Sequence, residues 1–360
     1  MKVQDTPYKI IQWATGQIGQ YVIERCANHP NFELVGCWVF SESKVGLDAG
    51  DIAKVGPLGI IASKDEQALL GLDADVVIYS PLLADINEMC RILEAGKDLI
   101  SPSGFTTILN KDDEKRLVAA CEKGGSTLHG SGIHPGFAGD RLPLVLSAMC
   151  REINKITVYE IVNMGEIGES PEMVFDQLGF NMSAEQAAAQ PPALLDIMST
   201  IFFESIQLVA DGTGLTIDDY AKKHEFALAQ EDIQIEAGII EKGNVAGQHF
   251  TYQGLVGGEA VITFETYWKT GGKTEPDWPY DAHCRYDVII EGDPPMKMQL
   301  DFERLQDGEP GMLGTSMNCL NSIPAVVAAD AGFKTQLDLP VITAINAFKP
   351  KTYVPIGKQI

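Results

Sequence analysis

The sequence predicts an α/β fold: a Rossmann-type doubly wound parallel sheet, followed by a second α+β domain with a large, mostly antiparallel sheet. Three observations predict it. The first 140 or so residues alternate short apolar runs with helical patterns. The first run ends in the small turn "WATGQIG" (13–19) and passes at once into a helix. After "HPGFAGDRLP" the pattern shifts to long strands alternating apolar with polar residues, divided by glycine turns.

Candidate strands in the first part are "YKIIQW" (8–13), "FELVGCWVF" (32–40), "LGIIAS" (58–63), "DVVIYS" (75–80), "DLISPS" (98–103) and "STLHGS" (126–131). Near-continuous apolar runs of this length fit strands covered on both faces, as in a parallel sheet. Helical patterns lie between them: "QIGQYVIERCAN", "DEQALLG", "ADINEMCRILEAGK" and "NKDDEKRLVAACEKGG". The last two close on Gly96 and Gly124, the expected C-caps. This alternation implies right-handed βαβ units. A helix over 140–151 then leads to the strand "KITVYEIVN" (155–163). Helical segments are expected across 171–229, one of them opened by "TIDD" (216–219), which has capping-box form. Residues 232–304 read as long strands with turns such as "EKGN" and "GDPP". A helix over 315–332 carries Pro324, where a kink or break is expected. The expected division is a dinucleotide-binding domain over 1–140 and a substrate and dimerisation domain over 141–314. The last helix returns to the first domain.

Composition restricts the partners. The 360 residues hold 50 Asp and Glu against 27 Lys and Arg, a net charge of -23. Most of the surface therefore repels nucleic acid and anionic membrane. An anionic ligand must meet local dipoles or a few placed cations. The seven cysteines are scattered singly with no CxxC pair, which predicts reduced thiols rather than a disulfide or zinc framework. His249, Asp281 and His283 lack the spacing of a metal site. The N-terminal stretch has no apolar signal core, and no run is read as a membrane span, so a cytoplasmic protein is expected.

The opening turn gives the first functional expectation. Against G-x-G-x-x-G, the middle and last glycines are Gly16 and Gly19, and Ala14 replaces the first. Gly16 admits the backbone close to a pyrophosphate, and Gly19 lets the helix pack on the first strand. The helix N-terminus presents free N–H groups and the positive dipole end, so Ala14, Thr15, Gly16, Gln17, Ile18 and Gly19 form the expected pyrophosphate site. An NAD site usually ends the second strand with an acid for the ribose hydroxyls. Here Val39 and Phe40 stand there, followed by Ser41, Glu42, Ser43 and Lys44. The hydroxyls of Ser41 and Ser43 with the Lys44 cation suit a 2′-phosphate, which favours NADP(H) over NAD(H). Glu42 argues the other way if it points inward.

The chain resembles the dihydrodipicolinate-reductase-like family in its longer form, which includes 2,4-diaminopentanoate dehydrogenase and native amine dehydrogenases. The resemblance covers nearly the whole chain. It rests on "WATGQIG", "KVGLDAGD" (44–51), "GIHPGFAGDRLPLVL" (132–146), "SPEMVFDQLGF" (170–180) and "NSIPAVVAADAG" (321–332). It implies an NAD(P)-dependent oxidoreductase acting at a carbon that bears nitrogen or oxygen. It also implies a nicotinamide over the strand ends, a substrate between the two domains, and a homodimer built on the second domain's sheet. Ser80, Pro81, Ser101, Ser103 and Gly104 would flank the nicotinamide, and residues 134–137 would wall the pocket. The amine dehydrogenases resembled carry a Glu in the loop after the strand "DLISPS", where it assists deprotonation. This chain has "SPSGFTTIL" there, with Phe105 near that position and no acid before Asp112.

Hydride transfer to C=O or C=N needs a proton partner. His134 is the first candidate, since imidazole titrates near physiological pH. Glu166 and Glu169, in "NMGEIGESPEM", are the next. Phe105, Phe137, Tyr159, Asn163 and Phe175 are candidate pocket residues for a small hydrophobic carbonyl or amine. Two further readings stay open: a carbonyl or imine reductase working without ammonia, and a non-catalytic NADPH-binding sensor. The missing Glu supports both.

Overall fold

The computed structural model describes residues 4, 6–190, 192–278, 282–306 and 308–348. β1 (Tyr8–Trp13), α1 (Gln17–Asn28) and β2 (Phe32–Trp38) form the first βαβ unit. Two short helices, α2 (Ala49–Ile52) and α3 (Glu66–Leu70), precede β3 (Val76–Tyr79). Then come α4 (Ile86–Glu94), β4 (Asp98–Ser101), α5 (Lys111–Gly124) and β5 (Thr127–Gly130). All of these strands pair in parallel, with β1 between β2 and β3. β3 is apolar throughout and β1 largely so, and both are almost wholly buried because helices cover both faces of the sheet.

α6 (Arg141–Ser147) leads into β6 (Glu152–Asn163), the first strand of a second sheet. A π-helical turn at Glu172–Gln177, α7 (Ala184–Ala189) and the long α8 (Ala193–Thr213) follow. The chain then makes β7 (Asp219–Ala229), the small hairpin β8 (Ile233–Ile235) and β9 (Gly238–Ile240), and β10 (Val245–Val256). β11 (Glu259–Lys269), β12 (Thr274–Glu275), β13 (Cys284–Asp293) and β14 (Met296–Phe302) complete the second sheet. Its order is β12-β7-β10-β11-β6-β13-β14, antiparallel except for the β11–β6 pair. α8 covers one face: Leu194, Leu195, Phe202, Ile206 and Val209 share a core with Val158, Phe250, Tyr252 and Phe264.

α9 (Pro310–Val327) crosses back to the first sheet, and β15 (Gly332–Lys334) joins it beside β5. Cys319, Leu320, Ile323 and Val326 pack with Ile10, Val22 and Ile23. Burying side chains of this size contributes roughly 1.5–3 kcal/mol each. This helix ties the two ends of the described chain together.

The structure corrects several sequence expectations. Residues 58–63 form no strand; they make only the bridges Trp38–Ser63 and Asp48–Ile61. The Asp48 carboxylate instead gathers the N–H groups of Gly50, Leu58 and Gly59 and holds the segment as a loop. Residues 219–229 are β7, not helix. Gly214 ends α8 in the left-handed region, and the following segment pairs along β10 in a register that sequence periodicity does not carry. Asp218 of "TIDD" accepts the Gly257 N–H at 2.6 Å rather than capping a helix. "DIQIEAGIIE" folds as the tight β8–β9 hairpin rather than one long strand. α9 starts and ends about five residues early, capped by Glu309 with Pro310 at its first position, and runs through Pro324 unbroken. Gly125, not Gly124, is the left-handed cap of α5. α8 is also long and apolar enough by composition to cross a membrane, contrary to the reading that no run is. It is a core helix because its apolar face is spent on the second sheet.

Candidate active site

The turn after β1 is built by close approach. A Cβ at Gly19 would lie 2.3 Å from the Ala14 carbonyl oxygen, so only glycine lets α1 start so near the strand. Ala14 itself sits at φ 72, in the left-handed region that favours glycine. The buried Gln12 amide braces it, donating to the Ala14 carbonyl at 2.7 Å and to Ser80 Oγ at 2.8 Å. A Cβ at Gly16 would meet nothing within 4 Å, which leaves room above the turn. Gly16 gives α1 no side-chain cap, and its first turn holds no acid. The free N–H groups and the helix dipole therefore face that room unopposed, an arrangement that fits a pyrophosphate. Gln17 reaches the second half of the chain, donating to the Ile167 carbonyl at 3.2 Å.

The loop after β2 lies beside this turn. Lys44 Nζ donates to the Thr15 carbonyl at 2.9 Å and to Thr15 Oγ1 at 3.1 Å. Ser41 and Ser43 are exposed, their hydroxyls 2.8 Å apart. Glu42 turns away to Lys64 at 2.6 Å. Phe40, which stands where an acid for the ribose was expected, is 80% exposed on the same rim.

At the carboxyl ends of the next strands, Ser80 Oγ donates to the Trp13 carbonyl and Ser103 Oγ to the Pro81 carbonyl, at 3.1 and 3.3 Å. Ser101 is fully buried, and its Oγ accepts the Ser103 N–H at 3.2 Å. Phe105 stands at φ 62, unusual for a bulky residue. Its side chain packs into the core with Leu99, Leu117 and Leu128, so it is not a pocket wall. Its N–H points the other way and donates to Glu204 Oε2 of α8 at 2.7 Å. Burial pushes the Glu204 carboxyl up to about 8, although this hydrogen bond favours the ionised form.

His134 is enclosed. Its Nδ1 is 2.7 Å from Glu160 Oε2, and Phe202, Phe264 and Tyr286 surround the ring edge-on. Trp268 Nε1 donates to the other Glu160 oxygen at 2.7 Å. His134 Nε2 has no hydrogen-bond partner among the described residues and faces the Gly139 backbone. The pairing with Glu160 is a tie between loop and sheet, 1% and 8% exposed at the side chains. Phe137 lies half-buried under the Arg141 guanidinium, 5.9 Å from its ring centre.

Glu166 is held by Arg304 at 2.6 Å and His283 at 3.2 Å. Burial raises the Glu169 carboxyl, and the nearby Glu309 charge adds to this. Tyr159 is next to Glu160 on β6, so alternation puts it on the face away from His134 and α8. Asn163 Oδ1 accepts the Gly165 N–H at 3.0 Å and closes the turn after β6. Phe175 packs over Gly238 of the hairpin. Tyr159 and Phe175 therefore stand apart from the glycine turn, because one faces the far side of its sheet and the other covers the hairpin. The surface hollow lined by Met182, Glu185, Gln186, Ala189 and Gln190 also takes in no residue of that turn. Asp281 lies outside the described residues.

The structure thus gathers the glycine turn, Lys44, the loop over 101–105 and the 167–168 backbone around one edge of the first sheet, with Glu204 beside that loop. The sequence reading missed Glu204. Its signal was an acid inside the apolar run "IFFESIQLV".

Comparison with known proteins agrees with this layout. The family model for the 2,4-diaminopentanoate dehydrogenase C-terminal domain matches residues 137–353. That for the dihydrodipicolinate reductase N-terminus matches residues 10–128. An amine dehydrogenase from Streptomyces virginiae is 27% identical over 93% of this chain and 97% of its own length. The 2,4-diaminopentanoate dehydrogenase of Acetoanaerobium sticklandii is 27% identical over 94% of each. The solved amine dehydrogenase from Mycobacterium smegmatis shares the fold, with a TM-score of 0.74 at 19% identity over 96% of this chain and 99% of that one.

Proposed function

Because the chain belongs to the 2,4-diaminopentanoate dehydrogenase family, we propose that it is an NAD(P)-dependent oxidoreductase exchanging hydride between NADP(H) and a hydrophobic ketone, imine or amine. One observation carries the reading: the open, uncapped turn at Gly16 is met from the second half of the chain by the Gln17–Ile167 contact. A dinucleotide on that turn reaches the ground between the two sheets, where a substrate is held. The relatives named above as dehydrogenases span nearly the whole chain and support it.

Residues 14–19 hold the pyrophosphate through backbone N–H groups and the α1 dipole. Lys44, with Ser41 and Ser43, takes the 2′-phosphate, and the outward turn of Glu42 leaves that anion unopposed. Ser80, Pro81, Ser101, Ser103 and Gly104 border the nicotinamide, which supplies or accepts the hydride when bound. The loop contacts of Ser103 with Pro81 and of Gln12 with Ser80 fix that border before ligand arrives. The second sheet's far face, with Tyr159 at its centre, is the dimer surface of a cytoplasmic enzyme. Sedimentation of the free chain tests the dimer.

The test of function follows NADPH and NADH oxidation at 340 nm with a panel of aldehydes and ketones, each with and without excess ammonium. Turnover that requires ammonium is the expected outcome. Equal turnover without ammonium makes the protein a carbonyl reductase, the reading that an acid-free loop over 101–105 favours. Tight NADPH binding with no turnover in either arm makes it a sensor.

A further inference from the structure

Glu204 lies outside every motif of the glycine turn, yet its carboxyl lands on the loop after β4. Oε2 accepts the Phe105 N–H, and a Cβ at Gly104 would be 3.2 Å from that same oxygen. Ile201, one turn earlier on α8, flanks Gly104 as well. The residue is 7% exposed. Among the described residues no cation pairs with it, and Oε1 makes no hydrogen bond. Buried carboxylates that serve structure are normally paired or fully hydrogen-bonded. This one stands with a single neutral donor at the carboxyl edge of a parallel sheet, where open α/β folds bind ligands. Its raised affinity for a proton, to about 8, suits a group that gives and takes one near neutral pH.

We infer that Glu204 is the acid–base residue of this site, protonating the oxygen that leaves the substrate carbon. The inference rests on the oxidoreductase reading above. In the reductive direction, ammonia adds to the carbonyl carbon to give a hemiaminal, in which that carbon bears one hydroxyl and one amino group. The Glu204 proton passes to the hydroxyl, and the C–O bond breaks with its electron pair on oxygen. Water departs, and the nitrogen lone pair completes the C=N bond of a protonated imine. The hydride that gives the amine would come from a reduced nicotinamide bound at the glycine turn. Glu204 regains its proton from solvent. The sum is carbonyl, ammonia, NADPH and a proton to amine, NADP+ and water.

The experiment compares the full-length wild type with Glu204→Gln and Glu204→Asp. Infrared titration without substrate should show a protonated carboxyl band that fades near pH 8 and is missing from Glu204→Gln. Glu204→Gln should lose about 100-fold or more in kcat, with NADPH affinity by fluorescence within about twofold of wild type. The limb of the pH–rate profile assigned to this group should vanish with it. Glu204→Asp should retain that limb at reduced kcat, which keeps the test valid if the Gln variant does not fold. An active wild type whose Glu204→Gln variant keeps its kcat and pH profile overturns the inference and spares the function. Loss of kcat with the pH limb intact also overturns it, since the residue then only positions Phe105. A wild type that turns nothing over overturns the function itself and the inference with it.

Discussion

Glu160 and Glu204 are buried to nearly the same extent, 6% and 7% exposed. Their surroundings differ. Both Glu160 oxygens are engaged, one by His134 and one by Trp268, inside a box of aromatic rings. Glu204 has one backbone N–H and, among the described residues, no cation. The first arrangement engages both carboxyl oxygens and ties the His134 loop and β11 to β6. The second leaves a carboxyl with one neutral donor, beside the loop after β4, and burial makes it hold its proton more tightly than usual. Burial alone does not separate structure from chemistry here; the count of partners does.

The largest effect should come from breaking the satisfied pair. Glu160→Ala leaves the His134 and Trp268 donors buried without an acceptor, and should cost about 3–5 kcal/mol of stability, read by urea unfolding. Glu204→Ala removes only one acceptor and should cost clearly less. Equal losses would erase the contrast.

A pH series sharpens it. The native Glu204 carboxyl is raised from 4.5 to about 8. Between those values the unfolded chain has released this proton and the native protein still holds it. Stability therefore falls as pH rises through that window, by at most about 1.4 kcal/mol per unit, and this contribution levels off above the native value. Glu204→Gln should remove that slope, so its advantage over wild type grows from pH 4.5 to pH 8. Parallel curves for the two proteins would mean that the carboxyl is already ionised.

The same contrast explains what the sequence made legible. The glycine turn could be read because its demands are local: Gly19 is needed within five residues of the carbonyl it would strike. β3 could be read because burial on both faces writes a continuous apolar run, and β1, β4 and β5 because their shorter apolar stretches alternate with helical patterns. Glu204 could not, since 99 residues separate it from Phe105 and only the packing of α8 brings them together. His134 was legible as a special residue but not as an enclosed one, because Phe202, Phe264 and Tyr286 come from three distant elements. β7 was hidden for a related reason. "YAKKHEFALA" has no clean alternation, and pairing with β10 and β12 decides its state.

The smallest effect tests the contrast among cations. Lys64 is paired with Glu42 at 2.6 Å, whereas among the described residues Lys44 has only neutral Thr15 oxygens. An unpaired cation beside an open turn is available to an anion; a paired surface cation is not, and contributes little to stability. Lys44→Ala should weaken NADPH binding by roughly tenfold, about 1.4 kcal/mol. NADH should lose less, because it has no 2′-phosphate to lose contact with. Lys64→Ala should leave both affinities nearly unchanged, or weaken NADPH slightly by freeing Glu42 to turn toward the site. Fluorescence titration of the three proteins with both nucleotides separates these outcomes. Equal losses of NADPH and NADH in Lys44→Ala would assign that lysine to bracing Thr15 in the turn, and the preference for NADP(H) would fall with it.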